Sequence, residues 1–350
     1  MNGTALYPGI DPFPSSNLNT MNRIFFILLP AVSILYFSCT KNTNSTRTSN
    51  DTLPLPPPPP PPQPIDTLAS GWERIAHIST DVVSDIFFIN NTGFAIVGTR
   101  IFKSSDGGST WSELTIPSGV NSLINIGMGP EKNAIFAGYG ELVSTRDGGI
   151  SFTVSPVPDV NLTDVFFADS TTAYAAGANI WKTTDAGSNW VKLDGFTSGG
   201  NSPYTSLYFL SVQSGWVFKN PGLYKTADAG VDWQSLPLQT SKGQAEGIFF
   251  INADTGYIAN GRDIERTVDG GASWTPVFTG SGGGYMDIHF VSDKTGYITD
   301  NTRIYKTQDG GDTWTSEVHL VSTMLIELHF VDPNHGWACG ADGTILKYSQ

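Results

Sequence analysis

The chain has 350 residues, a formal net charge of −13 and only 15% charged residues. This acidity argues against a nucleic-acid partner, because phosphate binding requires clustered lysine and arginine. Glycine (38 residues) and aromatic residues (12%) are plentiful, which favours short strands joined by glycine-rich turns over a helical bundle. The two cysteines, Cys39 and Cys339, do not form a disulfide framework of the kind that small secreted domains use.

The first recognisable segment is an export signal. Met21-Asn22-Arg23 precedes an apolar run over residues 24–37, which ends at Ser38-Cys39. The run is shorter than the roughly 20 residues of a transmembrane helix, so the pattern is typical of a secretory signal. Ser38-Cys39 resembles the lipobox of bacterial lipoproteins, which implies lipidation of Cys39, although Tyr36 stands where that motif usually has leucine. An ordinary signal peptide or an uncleaved anchor is the alternative.

Three N-terminal regions are predicted from composition. Residues 1–20 stand before a complete signal, so we expect translation to begin at Met21 and treat them as a non-native upstream extension. Residues 21–39 form the lipoprotein signal peptide. Residues 40–70 form a linker rich in Ser, Thr, Asn and Pro that contains a proline run at 56–62, which favours a polyproline spacer over a packed core. The alternative for this run is a ligand for a proline-binding domain.

Residues 71–350 are built from a repeat. The motif [S/T]-x-D-x-G-x-x-[W/F] occurs six times, around Asp106, Asp147, Asp185, Asp228, Asp269 and Asp309. A near-constant period of about 40 residues signals repeat architecture. In the third repeat, strands are predicted at 164–168, 173–177, 180–183 and 190–193. Four short antiparallel strands per repeat make one blade of a β-propeller.

The blade count follows from an incomplete last repeat. The sequence ends at Gln350, before the box and the fourth strand of that repeat. The segment after Gly71, beginning at Trp72, resembles the strands that follow the boxes. We therefore predict that residues 72–77 complete the last blade. The predicted fold is all-β, a seven-bladed propeller of four-stranded blades whose ring is closed by the N-terminal strand.

The recurring box is expected to be architectural. Its Asp can accept hydrogen bonds from the backbone of the hairpin between the third and fourth strands. Its Gly permits a positive φ angle, and its Trp buries a large apolar face. Binding of Ca²⁺ or another ligand by these aspartates is the alternative.

These motifs resemble a known family. The six boxes are identified as BNR, or Asp-box, repeats. The sequence over residues 336–347 (GWACGADGTILK) is similar to the blade signature of the photosystem II assembly and stability factor of cyanobacteria and plastids. The resemblance covers residues 72–350 and implies a non-catalytic chaperone with an arginine-rich patch. This chain has only six arginines after residue 70, so we expect a bacterial lipoprotein member without a photosynthetic role.

An enzyme is the alternative class, because Asp boxes also occur in sialidases and xyloglucan-hydrolysing glycosidases. The sequence has no Arg-Ile-Pro motif of the sialidase kind and no long loops that would form a cleft. Its five histidines show no metal-ligand spacing. We therefore predict no catalytic residue, no metal site and no cofactor.

A face opposite the boxes could bind a partner. First strands begin near acidic residues, and hairpins before third strands carry arginines. The predicted partner-binding residues are Asp85, Asp164, Asp287, Glu327, Arg100, Arg262 and Arg303. His289 and His329 replace Phe or Tyr at equivalent places in adjacent repeats. The alternatives are ordinary strand caps and solvated hairpin charges.

Together these patterns predict a non-enzymatic, lipid-anchored propeller that acts as a protein-binding or assembly scaffold. We expect it to be exported, anchored in the outer membrane or at the surface of a bacterium, monomeric, and bound to a protein or glycan of the cell envelope. A secreted Asp-box glycosidase is the alternative.

Overall fold

The computed structural model describes residues 71–75, 77–130, 132–157, 162–193, 204–219, 222–238, 245–280, 284–319 and 323–350. The predicted extension, signal peptide and linker at 1–20, 21–39 and 40–70 lie outside the described residues, and Cys39 lies there too. Within the described part, no helix is long and apolar enough to cross a membrane.

The described residues form 28 strands arranged in seven antiparallel sheets of four, which confirms the predicted propeller. The innermost strands of the seven blades are β2 Val83–Ile89, β6 Leu123–Met128, β10 Asp164–Phe167, β14 Tyr204–Phe209, β18 Ala245–Phe250, β22 Tyr285–Phe290 and β26 Leu325–Asp332. The second strands are β3 Thr92–Val97, β7 Ala134–Gly138, β11 Ala173–Ala176, β15 Gly215–Lys219, β19 Gly256–Asn260, β23 Gly296–Asp300 and β27 His335–Gly340.

The outer half of each blade consists of a third and a fourth strand. The third strands are β4 Arg100–Ser104, β8 Glu141–Thr145, β12 Ile180–Thr183, β16 Gly222–Thr226, β20 Asp263–Thr267, β24 Arg303–Thr307 and β28 Ile345–Ser349. The fourth strands are β5 Ser112–Glu113, β9 Thr153–Pro156, β13 Val191–Leu193, β17 Gln234–Leu236, β21 Thr275–Thr279, β25 Thr315–His319 and, in the seventh blade, β1 Trp72–Arg74.

The ring closes through the N-terminal strand, as predicted. β1 pairs with β28 in the register Trp72↔Tyr348 and Arg74↔Leu346. The strand is shorter than the predicted 72–77, because its regular ladder ends at Arg74. Ile75 extends the pairing by one bond, donating its N–H to the carbonyl of Ile345 at 3.1 Å. Each innermost strand also contacts the innermost strand of the next blade all the way round.

The core lies between the blades. Seven clusters of buried hydrophobic residues fill the seven interfaces of the described ring. In five interfaces the last aromatic residue of an innermost strand stacks on an aromatic residue of the preceding blade's second strand. The centroid distances are 3.8 Å for Phe88–Trp337, 3.8 Å for Phe209–Tyr174, 3.6 Å for Phe250–Trp216, 4.1 Å for Phe290–Tyr257 and 4.1 Å for Phe330–Tyr297.

This stacking explains the glycine that precedes the aromatic residue in many second strands. A Cβ at Gly215 would lie 2.3 Å from the ring of Phe209, and a Cβ at Gly256 would lie 2.5 Å from the ring of Phe250. Any side chain there would push the Phe ring out of its stack. The Gly-aromatic pair of the sequence is therefore a packing motif.

The two faces of the ring carry different hairpins. The mouth face carries the starts of the innermost strands and the hairpins between second and third strands. The box face carries the Asp-box hairpins between third and fourth strands. Gly71, the first described residue of the chain, lies at the start of a fourth strand and therefore on the box face.

Candidate functional site

The acidic residues predicted on the mouth face lie within the axial channel. Asp85, Asp164, Asp287 and Glu327 occupy the same position of their innermost strands. The equivalent positions of the other three blades hold Asn125, Ser206 and Gly247. We call these seven positions the polar layer.

A repeated irregularity accompanies the polar layer. In six of the seven blades the pairing of the innermost and second strands shifts by one residue, for example between Val83 and Asp85 and between Leu325 and Glu327. β-Bulges of this kind re-aim side chains at sheet edges. Here the shift falls next to the polar-layer residue.

The polar layer also ties neighbouring blades together. An innermost strand is an edge strand, so its outward N–H groups need acceptors from outside its own sheet. A side-chain oxygen of one blade accepts such a hydrogen bond from the next blade. These bonds are Ile126 N–H to Asp85 at 2.5 Å, Val165 N–H to Asn125 at 2.9 Å, Leu207 N–H to Asp164 at 2.8 Å and Leu328 N–H to Asp287 at 3.1 Å.

Burial raises the pKa values of these carboxyl groups. Asp85 is 3% exposed, and burial raises its pKa well above the usual range despite two backbone donors, Ile126 and Ile86. Burial raises the pKa of Asp164 to about 7. The pKa of Glu327 is raised well above its usual value by burial and by the nearby charge of Asp287, with which it shares a hydrogen bond. That bond requires a proton on one of the two carboxyl groups.

A layer of aromatic side chains lies two residues deeper along the innermost strands. Six blades contribute half-buried rings: Phe87, Phe166, Tyr208, Phe249, His289 and His329. Neighbouring rings touch in sequence around the axis, with centroid distances of 5.2 Å for Phe166–Tyr208, 4.9 Å for Tyr208–Phe249, 5.0 Å for Phe249–His289, 5.6 Å for His289–His329 and 3.9 Å for His329–Phe87. The second blade has Gly127 instead and leaves one gap. We call this layer the aromatic wheel.

The two histidines of the wheel are uncharged at neutral pH. Burial lowers the pKa of His289 to about 3 and that of His329 to about 4. The Nε2–H of His329 donates a hydrogen bond to the carbonyl oxygen of Phe88 at 2.8 Å. The predicted histidine pair therefore acts as aromatic surface.

The polar layer and the aromatic wheel enclose a cavity of about 610 Å³ on the axis. All seven blades contribute lining residues, all from the innermost strands or the residues just before them. Ser84, Ile124, Thr163 and Ile326 surround the mouth, and the wheel is the deeper layer. Since strands rise about 3.3 Å per residue, the polar layer and the wheel are about 7 Å apart.

The predicted arginines lie outside this cavity. Arg100 pairs with Asp81 at 3.1 Å and with Glu113 at 3.7 Å. Arg303 donates to the hydroxyl of Tyr305 at 3.2 Å, and Arg262 is exposed. The structure does not bring the arginines together with the acidic residues in one cluster, and their contact with a partner stays a prediction.

The Asp boxes are hydrogen-bonded turns. Asp106 accepts from the N–H of Thr110 at 2.9 Å and from its hydroxyl at 2.6 Å, while the hydroxyl of Ser104 lies 2.8 Å from the same carboxylate. These bonds, led by the Thr110 hydroxyl, lower the pKa of Asp106 to about 2. The same pattern of N–H donation recurs at Asp147, Asp185, Asp228, Asp269 and Asp309.

Box carbonyls also receive bonds from the preceding blade. The Lys103 ammonium donates to the carbonyl of Gly148 at 2.7 Å, the Tyr257 hydroxyl donates to that of Gly310 at 2.7 Å, and the Trp216 indole donates to that of Gly270 at 3.1 Å. The box oxygens are thus occupied by the protein itself. In the described residues, no group of three or more His, Cys, Asp or Glu side chains is arranged to hold a metal ion.

Most of the cavity lining was not among the residues predicted from the sequence. The predicted residues included the four acids and two histidines, but neither Asn125 and Ser206 nor the aromatic rings between them. The signal was an aromatic residue two positions after the polar-layer position in six of the seven repeats, as in Asp85-Ile86-Phe87. Cys339, expected to be a small buried residue, is 0% exposed, and burial raises the pKa of its thiol well above the usual value.

Fold and repeat define a seven-bladed Asp-box β-propeller with a polar and aromatic axial cavity. The family described as photosynthesis system II assembly factor YCF48 matches residues 276–349. A structure of YCF48 bound to D1 peptide superposes with a TM-score of 0.68 at 19% identity, covering 80% of this chain and 97% of that one. YCF48 from Cyanidioschyzon merolae gives a TM-score of 0.67 at 20% identity, covering 80% and 99%. The chain is thus a β-propeller similar in fold to YCF48, and its residues 276–349 match that family's model.

Enzymes share this fold. The GH74 xyloglucanase from Xanthomonas campestris superposes with a TM-score of 0.62 at 13% identity, covering 79% of this chain and 53% of that one. No curated protein matches the sequence. At these identities the superpositions establish the fold, and function must be argued from the site.

Proposed function

We propose that this chain is a non-enzymatic β-propeller that binds a segment of a partner protein at the mouth of its axial cavity. The observation that carries the proposal is the cavity of about 610 Å³, to which all seven blades contribute. Apolar walls combined with a few convergent polar groups are typical of binding sites. The YCF48 structure of the same fold that is bound to D1 peptide adds support for a protein partner.

The arrangement of the carboxyl groups favours binding over glycoside hydrolysis. Glycosidases place two carboxyl groups about 5–10 Å apart, so that the sugar and a nucleophile fit between them. Asp287 and Glu327 are instead hydrogen-bonded to each other. Asp85 accepts N–H groups with both of its oxygens. Assays with sialyl and xyloglucan substrates test the alternative: turnover that is lost on changing a single cavity carboxyl to its amide would establish the glycosidase.

We also propose that the propeller is held at the bacterial cell envelope by a lipid on Cys39. The support is the signal pattern at residues 21–39 and the proline-rich linker at 40–70. Loss of the chain from the membrane fraction in Cys39→Ser supports the anchor; retention in that fraction contradicts it.

Partner capture tests the proposed site. The full-length chain is used to retrieve cross-linked partners from membranes of the source cells, in parallel with two tryptophan variants. Ile326→Trp adds bulk at the mouth, where Ile326 lines the cavity. Val231→Trp is the control, because Val231 is 67% exposed in a box hairpin. We expect Ile326→Trp alone to lose the partner. Equal capture by all three proteins contradicts the proposal, and capture that survives protease treatment of the retrieved material points to a glycan.

A further inference from the structure

We infer that the axial cavity binds an organic cation carried by the partner: a lysine or arginine side chain, or a free chain N-terminus, seated at the polar layer above the aromatic wheel. This inference rests on the proposed protein-binding function and specifies the chemistry of the group that enters.

The cavity has acidic groups without protein cations to match them. Its lining includes Asp85, Asp164, Asp287 and Glu327, and none of the described lining residues is Lys or Arg. Buried charges in proteins are normally paired with opposite charges or lose their charge by taking up a proton. A cation that enters from the mouth supplies the missing partner.

The carboxyl groups that remain available face the cavity. Asp164, Asp287 and Glu327 are half-buried against it, whereas Asp85 is buried and has both oxygens occupied. Without a cation, these groups hold protons more tightly than free carboxyls, because burial raises the pKa values of all three and nearby carboxylates raise those of Asp164 and Glu327 further. A bound cation would take the place of such a proton and would be attracted to the carboxylates in a site that water screens only partly.

The aromatic wheel adds a second attraction for the same group. The faces of Phe and Tyr attract ammonium and guanidinium ions within about 6 Å of the ring centroid. Phe166, Tyr208 and Phe249 are half-buried against the cavity and lie next to one another around the axis. The neutral histidines do not oppose a cation, since their pKa values lie near 3 and 4.

An organic cation fits these groups better than a metal ion. In the described residues no three side chains of the ligand types converge as metal ligands would. Several polar-layer oxygens already accept backbone N–H groups, which leaves single oxygens around a wide cavity. Ammonium and guanidinium groups can use such dispersed acceptors.

The test uses acetylated pentapeptide amides of glycine whose central residue is lysine, arginine, norleucine or glutamate, and an all-glycine pentapeptide amide with a free N-terminus. Binding to the full-length chain is measured by saturation-transfer NMR and calorimetry. Asp287→Asn combined with Glu327→Gln mimics the protonated carboxyls and keeps an oxygen acceptor for Leu328. Asp293→Asn is the control, because Asp293 is an exposed acid in the same blade as Asp287.

We expect the cationic peptides to bind and the norleucine and glutamate peptides not to. The double variant should bind at least about tenfold more weakly, while Asp293→Asn should bind like the wild type. Comparing the lysine, arginine and free N-terminus peptides identifies the source of the cation. Equal binding of the lysine and norleucine peptides, or an unchanged double variant with a native melting curve, overturns the inference. If Ile326→Trp still loses partner capture in that case, the proposed protein-binding function stands without it.

Discussion

The indole of Trp72 stands edge-on to the ring of Phe330, with centroids 5.9 Å apart and planes at 89°. The box tryptophans have the same relationship to their own innermost strands: Trp274 to Phe250 at 6.1 Å and 82°, and Trp314 to Phe290 at 6.0 Å and 82°. Trp72 therefore takes the place of a box tryptophan in the blade that lacks a box.

In the closing blade, where β1 pairs with β28, Trp72 takes the position of a box tryptophan but does not make its indole hydrogen bond. Trp314 donates its indole N–H to the carbonyl of Gly311 at 3.1 Å, whereas the buried Nε1 of Trp72 has no hydrogen-bond partner in the described structure. The closing blade thus keeps the packing of a box tryptophan without the indole hydrogen bond, which the box tryptophan Trp190 also lacks. Of the three residues of β1, only Trp72 is buried, so its side chain supplies most of the apolar packing of the closing strand.

The first prediction concerns Trp72→Ala. Removing a buried tryptophan costs about 3–5 kcal/mol, and here the loss also detaches the closing strand. We expect a large drop in the urea midpoint and a broadened transition as the seventh blade opens first. Trp314→Ala, in a blade with an intact box, should lower stability without the broadening. Identical unfolding transitions for the two variants would contradict the prediction that the blade closed by β1 and β28 opens first.

The second prediction concerns the glycines beneath the stacked rings. Gly215→Ala places a Cβ 2.3 Å from the ring of Phe209, and such overpacking costs about 1–3 kcal/mol. Gly284→Ala is the control, because its nearest contact would be 3.5 Å away. Chemical denaturation should show a lower free energy of unfolding for Gly215→Ala and an unchanged one for Gly284→Ala. A neutral Gly215→Ala would mean that the Phe stack tolerates displacement.

The third prediction concerns the polar layer as the pH rises through neutrality. The folded chain raises the pKa of Asp164 to about 7, whereas an unfolded Asp has a pKa of about 3.9. The group's contribution to stability is therefore full below about pH 4 and is lost as the pH rises through about 7. Asp164→Asn keeps an acceptor for Leu207 and removes the titration. Its unfolding free energy should fall less than that of the wild type between pH 5 and pH 8. If the two free energies fall in parallel with pH, the titration of Asp164 is not the cause of the decrease.

The fourth prediction concerns the boxes at acid pH and has the opposite sign. Hydrogen bonds lower the pKa values of Asp106, Asp269 and Asp309 to about 2. Their contribution is present above about pH 4 and is lost as the pH falls towards 2. Asp269→Asn should be less stable at pH 6 and approach the wild type near pH 2. A stability gap that persists unchanged at pH 2 would show that the ionised box is not its source.

The features that could be predicted from the sequence are local or periodic. The six boxes, the glycine-aromatic pairs and the resemblance of the Trp72 segment to a fourth strand each lie within a few residues, so they predicted blade number and closure. The bonds from Asp85 to Ile126 and from Asp164 to Leu207 join residues of different blades. They exist only once neighbouring blades have packed together.

The aromatic wheel also depends on contacts between blades, which the sequence alone does not show. Phe166, Tyr208 and Phe249 contact one another across blade boundaries, and each looks like an ordinary strand residue in sequence. The acids of the polar layer are a second example. From the sequence, Asp287 and Glu327 are strand-start acids, whereas in the folded ring they share a hydrogen bond at the axis.

The most direct test of the central claim is site-specific photo-cross-linking of the partner. A photoreactive phenylalanine analogue is placed at Ile326, which lines the cavity mouth, or at Val231, which is 67% exposed in a box hairpin. Irradiation in the source cells should give a covalent partner adduct from position 326 and none from position 231. An adduct from position 231 alone, with none from 326, would contradict the assignment of partner binding to the axial cavity.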